Sequence, residues 1–527
     1  MDKIELYDTT LRDGAQYEGI SFSVEDKLSI TETLDDLGVH YVEGGWPGSN
    51  PKDALFFERV RDLKLKNTTV TAFGSTRRAN VDAASDPQIQ ALLSAKTEVI
   101  TLVGKTWDLH VTHVLETSLE ENLGMVSDSI DHILSEGRRV FFDAEHFFDG
   151  YKQNREYALK VVQSAAKSGA ECIVLCDTNG GASPTEIVSA VKSVKSLIDT
   201  KIGIHTHNDS DMAVAASISA IDAGVVQVQG TINGYGERCG NANLISLIAN
   251  LKLKKNIDCI SDTNIKKLTS VSRFVSEVAN MPPPSNQAFV GTSAFTHKGG
   301  LHAAAVDKVE HSYQHIPPSV VGNTNRVLVS ELSGRSNVLM KAEERMNIKL
   351  SPDLARELVN VIKNKESRGF QYEGAEASFE LIVRRAMPDY VPPFGLVDFM
   401  TIVEKRADDS QDEDLTSQVM VKVVVGDKEV HTAATGNGPV NALDHALRKA
   451  LLGYYPELQN VSLTDYKVRV VDQQIGTDAV VRVLIESTDG ENTWSTVGSS
   501  QNIIEASWMA LVDSVEWWLL THSKAFS

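Results

Sequence analysis

From the N-terminus to about residue 260, short β-branched runs alternate with longer stretches of helical spacing. The segments 4–8, 40–44, 69–73, 98–103, 139–144, 171–177, 201–205 and 226–231 read as strands, being short, apolar and bounded by turn residues. Between them, segments such as 24–37 and 154–168 place apolar residues at helical intervals. Eight strands separated by seven helical stretches predict a closed α/β (β/α)8 barrel, the TIM barrel. An open doubly wound sheet is the alternative, but it rarely uses eight such regular units.

The pattern then changes twice. Met281-Pro282-Pro283-Pro284 cannot continue a helix and marks the exit from the barrel. Beyond it, Phe295-Thr296-His297-Lys298-Gly299-Gly300-Leu301-His302 reads either as a loop entering a helix or as a glycine-rich linker with surface histidines. The segment 352–367 is an amphipathic helix, and the acidic run 408–414 a solvated linker. From Gln418 onward a hairpin (419–425 and 428–433) precedes a helix through Leu451. Strands at 466–472, 479–486 and 493–497 follow, then a helix from 502 to about 519. This coarse ββα-type repeat suits a small α+β module for ligand binding or dimerisation. The expected domains are therefore 1–265, a catalytic barrel; 266–415, a mainly helical linker region; and 416–527, a C-terminal α+β regulatory and dimerisation domain.

Composition narrows the partners. Hydrophobic content of 42% and charged content of 23% describe a globular protein. A net charge of −20 argues against nucleic acid and against an anionic membrane surface. Nothing at the N-terminus reads as a signal peptide, and no apolar run is long enough to span a bilayer. Four cysteines in 527 residues make no disulfide framework, and Cys172 and Cys176 read as small core residues. The expectation is a reduced, cytoplasmic protein.

A barrel keeps its chemistry at the carboxyl ends of its strands. Polar residues do gather there: Arg12-Asp13 after the first strand, Glu43 in the second, Arg77-Arg78 after the third, and Asp143-Ala144-Glu145-His146 at the fifth. Asp177-Thr178 follows at the sixth, His205-Thr206-His207 at the seventh and Asn233-Gly234-Tyr235-Gly236-Glu237-Arg238 at the eighth. Two histidines two residues apart on a strand share a face and can hold one divalent metal if a carboxylate joins them; a chance structural pair is the bland alternative. Two decoys fail. Val103-Gly104-Lys105-Thr106 lacks the first glycine of a phosphate loop, which would fall at Val99, and Gly234-x-Gly236-x-x-Cys239-Gly240 has its last glycine displaced.

With these pieces assembled, the chain resembles the acyl-CoA/2-oxo acid condensing enzymes of the isopropylmalate and homocitrate synthase family. The likeness rests on Asp8-Thr9-Thr10-Leu11-Arg12-Asp13-Gly14, Gly203-Ile204-His205-Thr206-His207-Asn208-Asp209, Asn233 to Asn241 and Thr296 to His302. It is greatest to the pyruvate-using branch, on Trp46-Pro47-Gly48-Ser49-Asn50-Pro51, Leu102 to Asp108 and Val329 to Asn337, and on Ala15 where many isopropylmalate synthases carry Glu. The resemblance implies condensation of acetyl-CoA with pyruvate and hydrolysis of the thioester, on the route to isoleucine; 2-oxoisovalerate and 2-oxoglutarate are the rival 2-oxo acids. It implies a divalent cation (Mg, Mn or Zn) on Asp13, His205, His207 and Asn241, and a 2-oxo acid site formed by Arg12, Asp13 and Thr178. Arg12 would stabilise the oxyanion. Glu145 and His302 would be candidate bases, with Tyr313 serving hydrolysis. Glu145 as a helix-start carboxylate and Tyr313 as a packed aromatic remain the structural alternatives. The resemblance further implies a homodimer, with the His302 segment reaching the partner's site, and feedback inhibition by isoleucine through the C-terminal module.

Overall fold

A computed structural model gives the structure of the protein and describes residues 3–297, 302, 305–306, 308–327, 335–404, 416–471 and 479–522. Lys298 to Leu301, most of the Val329 to Asn337 motif and the acidic run 408–414 lie outside the described residues.

Eight parallel strands form a closed barrel: β1 (Glu5–Asp8), β2 (Tyr41–Gly45), β3 (Thr69–Ser75), β4 (Val99–Lys105), β5 (Arg139–Glu145), β6 (Cys172–Asp177), β7 (Lys201–Thr206) and β8 (Gln227–Gly230). β1 closes the ring against β8, pairing Glu5 with Gln227 through to Asp8 with Gly230. Each strand is covered on both faces, which is why the sequence shows continuous apolar runs and not alternation. Tyr7, Val99, Phe141, Cys172, Val174 and Cys176 pack together as an inner cluster, while the larger core lies between strands and helices. Helix starts follow local chemistry. Ser23 and Ser183 each form a capping box, with Asp26 and Glu186, ahead of the helices Val24–Leu37 and Pro184–Lys195. Cys259 is also buried, and Cys239 is the exposed thiol of the four.

Residues 1–295 and 316–325 form one compact unit, and 296–315 with 326–527 a second. The second unit contains the helices Arg335–Met346, Pro352–Glu366 and Glu376–Arg385, followed by two antiparallel three-stranded sheets. Gly395–Glu404, Thr416–Val425 and Lys428–Gly436 lead into the helix Pro439–Leu451. Ser462–Val470, Val481–Thr488 and Thr493–Ser500 lead into Ile503–His522. The repeat is therefore βββα, and the expected ββα reading missed the strand Gly395–Glu404. That strand is an edge whose residues are nearly all exposed, so it lacks the buried alternation that marks Val419, Val421, Val423 and Val425 on its neighbour. Among the described residues, no helix is long and apolar enough to cross a membrane.

Candidate active site

The loop after β1 is knotted before it reaches the mouth of the barrel. Asp8 is fully buried and accepts bonds from the Thr10 backbone N–H (2.9 Å) and the Thr10 hydroxyl (2.8 Å). The same hydroxyl accepts from the Ile232 N–H (2.9 Å), tying this loop to the one after β8. Burial, with Glu43 adding to it and the Thr10 bonds opposing, pushes the Asp8 carboxyl up to about 7. Asp13 is thereby carried to the end of β7. There Thr206 donates outward to the Ala213 carbonyl (3.1 Å), so the strand's alternation sends His205 and His207 the other way together.

The three side chains converge. His205 Nε2 lies 3.2 Å from His207 Nε2, and Asp13 Oδ2 lies 3.4 Å from the first and 3.8 Å from the second. His205 Nδ1 lies 2.9 Å from the Gln229 side-chain oxygen, and the Gln229 amide donates to Asp143 (3.1 Å). An amide oxygen only accepts, so Nδ1 carries a proton, and in the neutral ring Nε2 is the lone pair that a cation beside Asp13 would meet. Among the described residues, Asp13 Oδ1 and both side-chain polar atoms of Asn241 are buried without a hydrogen-bond partner, and the Asn241 backbone bridges to His207. Buried polar atoms left unpaired in this way need an ion or water. Two imidazoles, a carboxylate and an amide oxygen are a donor set suited to a small divalent cation.

The electrostatics agree. Burial opposes a charge on Asp13, but Arg12 and the two histidines outweigh it and hold the carboxyl well below its usual range. Burial likewise opposes a charge on His205, yet Asp13 raises it above its ordinary value; burial and His205 together push His207 down to about 3. A metal ligand must be neutral imidazole, so cation affinity is complete above the raised His205 value and lost as pH falls through it. Metal binding near neutral pH is therefore expected to release a proton. Calorimetry in buffers of different ionisation enthalpy measures this, and a binding heat independent of buffer contradicts it.

A cleft of ≈ 570 Å³ opens beside the triad. Arg12 is fixed in its wall: Nε donates to Glu43 (2.5 Å), Nη1 to Asp13 (3.3 Å), and the guanidinium lies 3.8 Å above the Phe73 ring. Glu43 is fully buried and accepts from the Tyr7 hydroxyl (2.6 Å), whose oxygen lies 2.8 Å from both the Thr71 and Thr101 hydroxyls. Glu145, at the end of β5, forms an ion pair with Lys105, its register partner on β4. Thr178 accepts the His146 N–H on its hydroxyl (2.9 Å). Arg238 donates to the Thr178 carbonyl (2.7 Å) and twice to Asp209, joining the loops after β6, β7 and β8.

Arg12, Asp13, Glu145, Thr178 and His207 line this one cleft, and His205 adjoins it through the triad. His302 and Tyr313 belong to the second unit, where their rings stack at 4.2 Å and both are exposed. Glu43, Asp143, Gln229, Tyr7 and Lys105 were not among the expected site residues. Glu43 and Asp143 carried a signal as charged residues within apolar strands, and Lys105 one as a charge at a strand end. Tyr7 and Gln229 carried none beyond strand alternation.

A closed (β/α)8 barrel with an Asp/His/His group at its mouth, able to hold one divalent cation, defines a class of metal-site barrel enzymes. Residues 3–275 match the HMGL-like family, 289–369 the homocitrate synthase post-HMGL domain-like family, and 373–519 the LeuA allosteric (dimerisation) domain. The chain is 54% identical to an (R)-citramalate synthase of Geobacter sulfurreducens over 98% of both chains, and 52% identical to one of Aquifex aeolicus, also over 98% of both. A probable 2-isopropylmalate synthase of Methanopyrus kandleri is 31% identical over 98% of both chains. The chain belongs to the HMGL-like family and, within it, to the family of the (R)-citramalate synthases.

Proposed function

We propose that this protein condenses acetyl-CoA with pyruvate and hydrolyses the resulting thioester, releasing (R)-citramalate and CoA. The observation that carries the reading is identity of 54% to an (R)-citramalate synthase along nearly the whole chain. The buried Asp13, His205 and His207 group supports it.

The reaction needs three things: a held 2-oxo acid, a base for the acetyl methyl proton, and a donor for the oxyanion that forms on attack. Asp13, His205, His207 and Asn241 would hold a divalent cation, which supplies Lewis-acid polarisation of the 2-oxo acid carbonyl. Thr178 binds the pyruvate carboxylate. Its hydroxyl oxygen already accepts from His146, which leaves its own proton to be donated. Arg12 has its Nε and Nη1 committed to Glu43 and Asp13, so Nη2 is the donor for the alkoxide. Glu145 takes the methyl proton, and its Lys105 partner holds the side chain in place. The acetyl carbon then bonds to the pyruvate carbonyl carbon, and water cleaves the thioester. His302, stacked on Tyr313, is the second candidate for proton transfer, and Tyr313 serves the hydrolysis. The LeuA allosteric (dimerisation) domain supports a homodimer under allosteric control; the effector we assign is isoleucine, and the location the cytoplasm.

The test is CoA release with pyruvate, 2-oxobutyrate, 2-oxoisovalerate and 2-oxoglutarate in parallel, with isoleucine and leucine titrated against the preferred reaction. Pyruvate is expected to lead and isoleucine to inhibit. A preference for 2-oxoisovalerate overturns the substrate assignment, and indifference to isoleucine overturns the effector.

A further inference from the structure

His146 joins β5 to the helix Phe147–Gln153 and sits in left-handed backbone (φ 54°, ψ 33°), which costs a non-glycine residue about 1–3 kcal/mol. Such a conformation persists only where its surroundings over-determine it. Here they do. The ring is nearly sealed from solvent, packs edge-on against His110 at 4.4 Å, and lies 5.7 Å from Trp107. Its Nδ1 lies 3.1 Å from Asp149 Oδ2, the same oxygen that accepts from Asn179 at 3.1 Å. Burial opposes ionisation of Asp149, but the bonds from His146 and Asn179 hold it below its usual range, so it accepts and Nδ1 donates.

The two chain neighbours of this clamp matter. Glu145 precedes His146 directly, and its carbonyl accepts from the Thr106 N–H at 3.2 Å. The His146 N–H donates to Thr178 Oγ1, and Asn179, next to Thr178, is tied to Asp149. The ring thus fixes the one backbone turn that aims an N–H at Thr178 while setting where the Glu145 side chain leaves its strand.

We propose that His146 is a positioning residue: clamped by Asp149, it holds the Thr178 hydroxyl oriented toward the 2-oxo acid carboxylate and Glu145 oriented toward the acetyl methyl group. This rests on the roles assigned above to Thr178 and Glu145. The bond to Thr178 comes from the backbone, so no side-chain change deletes it. What a substitution removes is the constraint on its direction.

Glycine and asparagine both accept left-handed backbone, so His146→Gly and His146→Asn separate the ring from the turn. In His146→Gly, KM for the 2-oxo acid is expected to rise ~10-fold and kcat to fall several-fold per folded molecule, the scale of one loosened hydrogen bond and a slightly misplaced base. His146→Asn, which keeps a donor for Asp149, is expected to recover most of the KM loss. In a Thr178→Val background the KM effect of His146→Gly is expected to vanish. Unchanged kcat and KM in His146→Gly alongside a lowered Tm, or full additivity with Thr178→Val, overturns the proposal while leaving Thr178 and Glu145 in place. Wild-type kinetics in both Thr178→Val and Glu145→Gln overturns the underlying assignment, and the proposal with it.

Discussion

Asp13→Asn is expected to lower kcat/KM by on the order of 10³-fold or more, about 4 kcal/mol, and to strip the protein of its divalent cation. The substitution keeps the shape of the side chain and removes its charge. Asp13 is the sole anion of the triad, and it also faces the Arg12 guanidinium at 3.3 Å. Without it, the dication loses the one carboxylate of its donor set and the guanidinium keeps only Glu43 as its partner, which is the costly way to break a buried pair. Metal content after gel filtration and steady-state rates in excess metal measure the two losses separately. Retention of both stoichiometric metal and wild-type rate would remove Asp13 from the site.

Arg12→Lys is the second large effect, with kcat expected to fall ~10²–10³-fold while the metal stays bound, the scale seen when an oxyanion donor is lost. The guanidinium does three things at once: Nε meets Glu43, Nη1 meets Asp13, and its flat face lies on Phe73. An ammonium is a single point of charge on a flexible stem and can satisfy one of these directions. It is drawn to the buried Glu43 and so away from the cleft. Metal analysis with kcat decides the matter: a lysine variant within a few-fold of wild type would show that charge alone suffices and that the fork geometry is irrelevant.

Much of this architecture was legible in the sequence because parallel barrel strands are buried on both faces and are separated by helices with clear caps. The helix expected at 24–37 is Val24–Leu37 in the structure, since Ser23, Asp26 and Gly38 mark its ends chemically. The rim was legible for a related reason: Glu145 and His205 lie at the ends of their strands, and Asp13, Thr178 and His207 follow strand ends. What holds those residues was not. Glu43 meets Arg12 only because β2 lies beside β1, and Gln229 meets Asp143, 86 residues away, only across the closed ring. No local periodicity encodes such pairings; register does. Lys105 shows the same limit, since its meaning is its place opposite Glu145 and not the short motif around it. The strand Gly395–Glu404 was missed for the opposite reason, having too little burial to leave a pattern.

The four cysteines are distributed in a way that makes the molecule its own reporter. Cys172 and Cys176 lie inside the barrel and Cys259 in the surrounding core, where burial raises each thiol and keeps the reactive thiolate scarce. Cys239 is exposed in the loop between Arg238 and Asn241. A thiol reagent applied to the native protein therefore samples the loop that edges the metal site, and the other three sulfurs answer only when the barrel opens. Two clocks, one local and one global, run on the same chemistry.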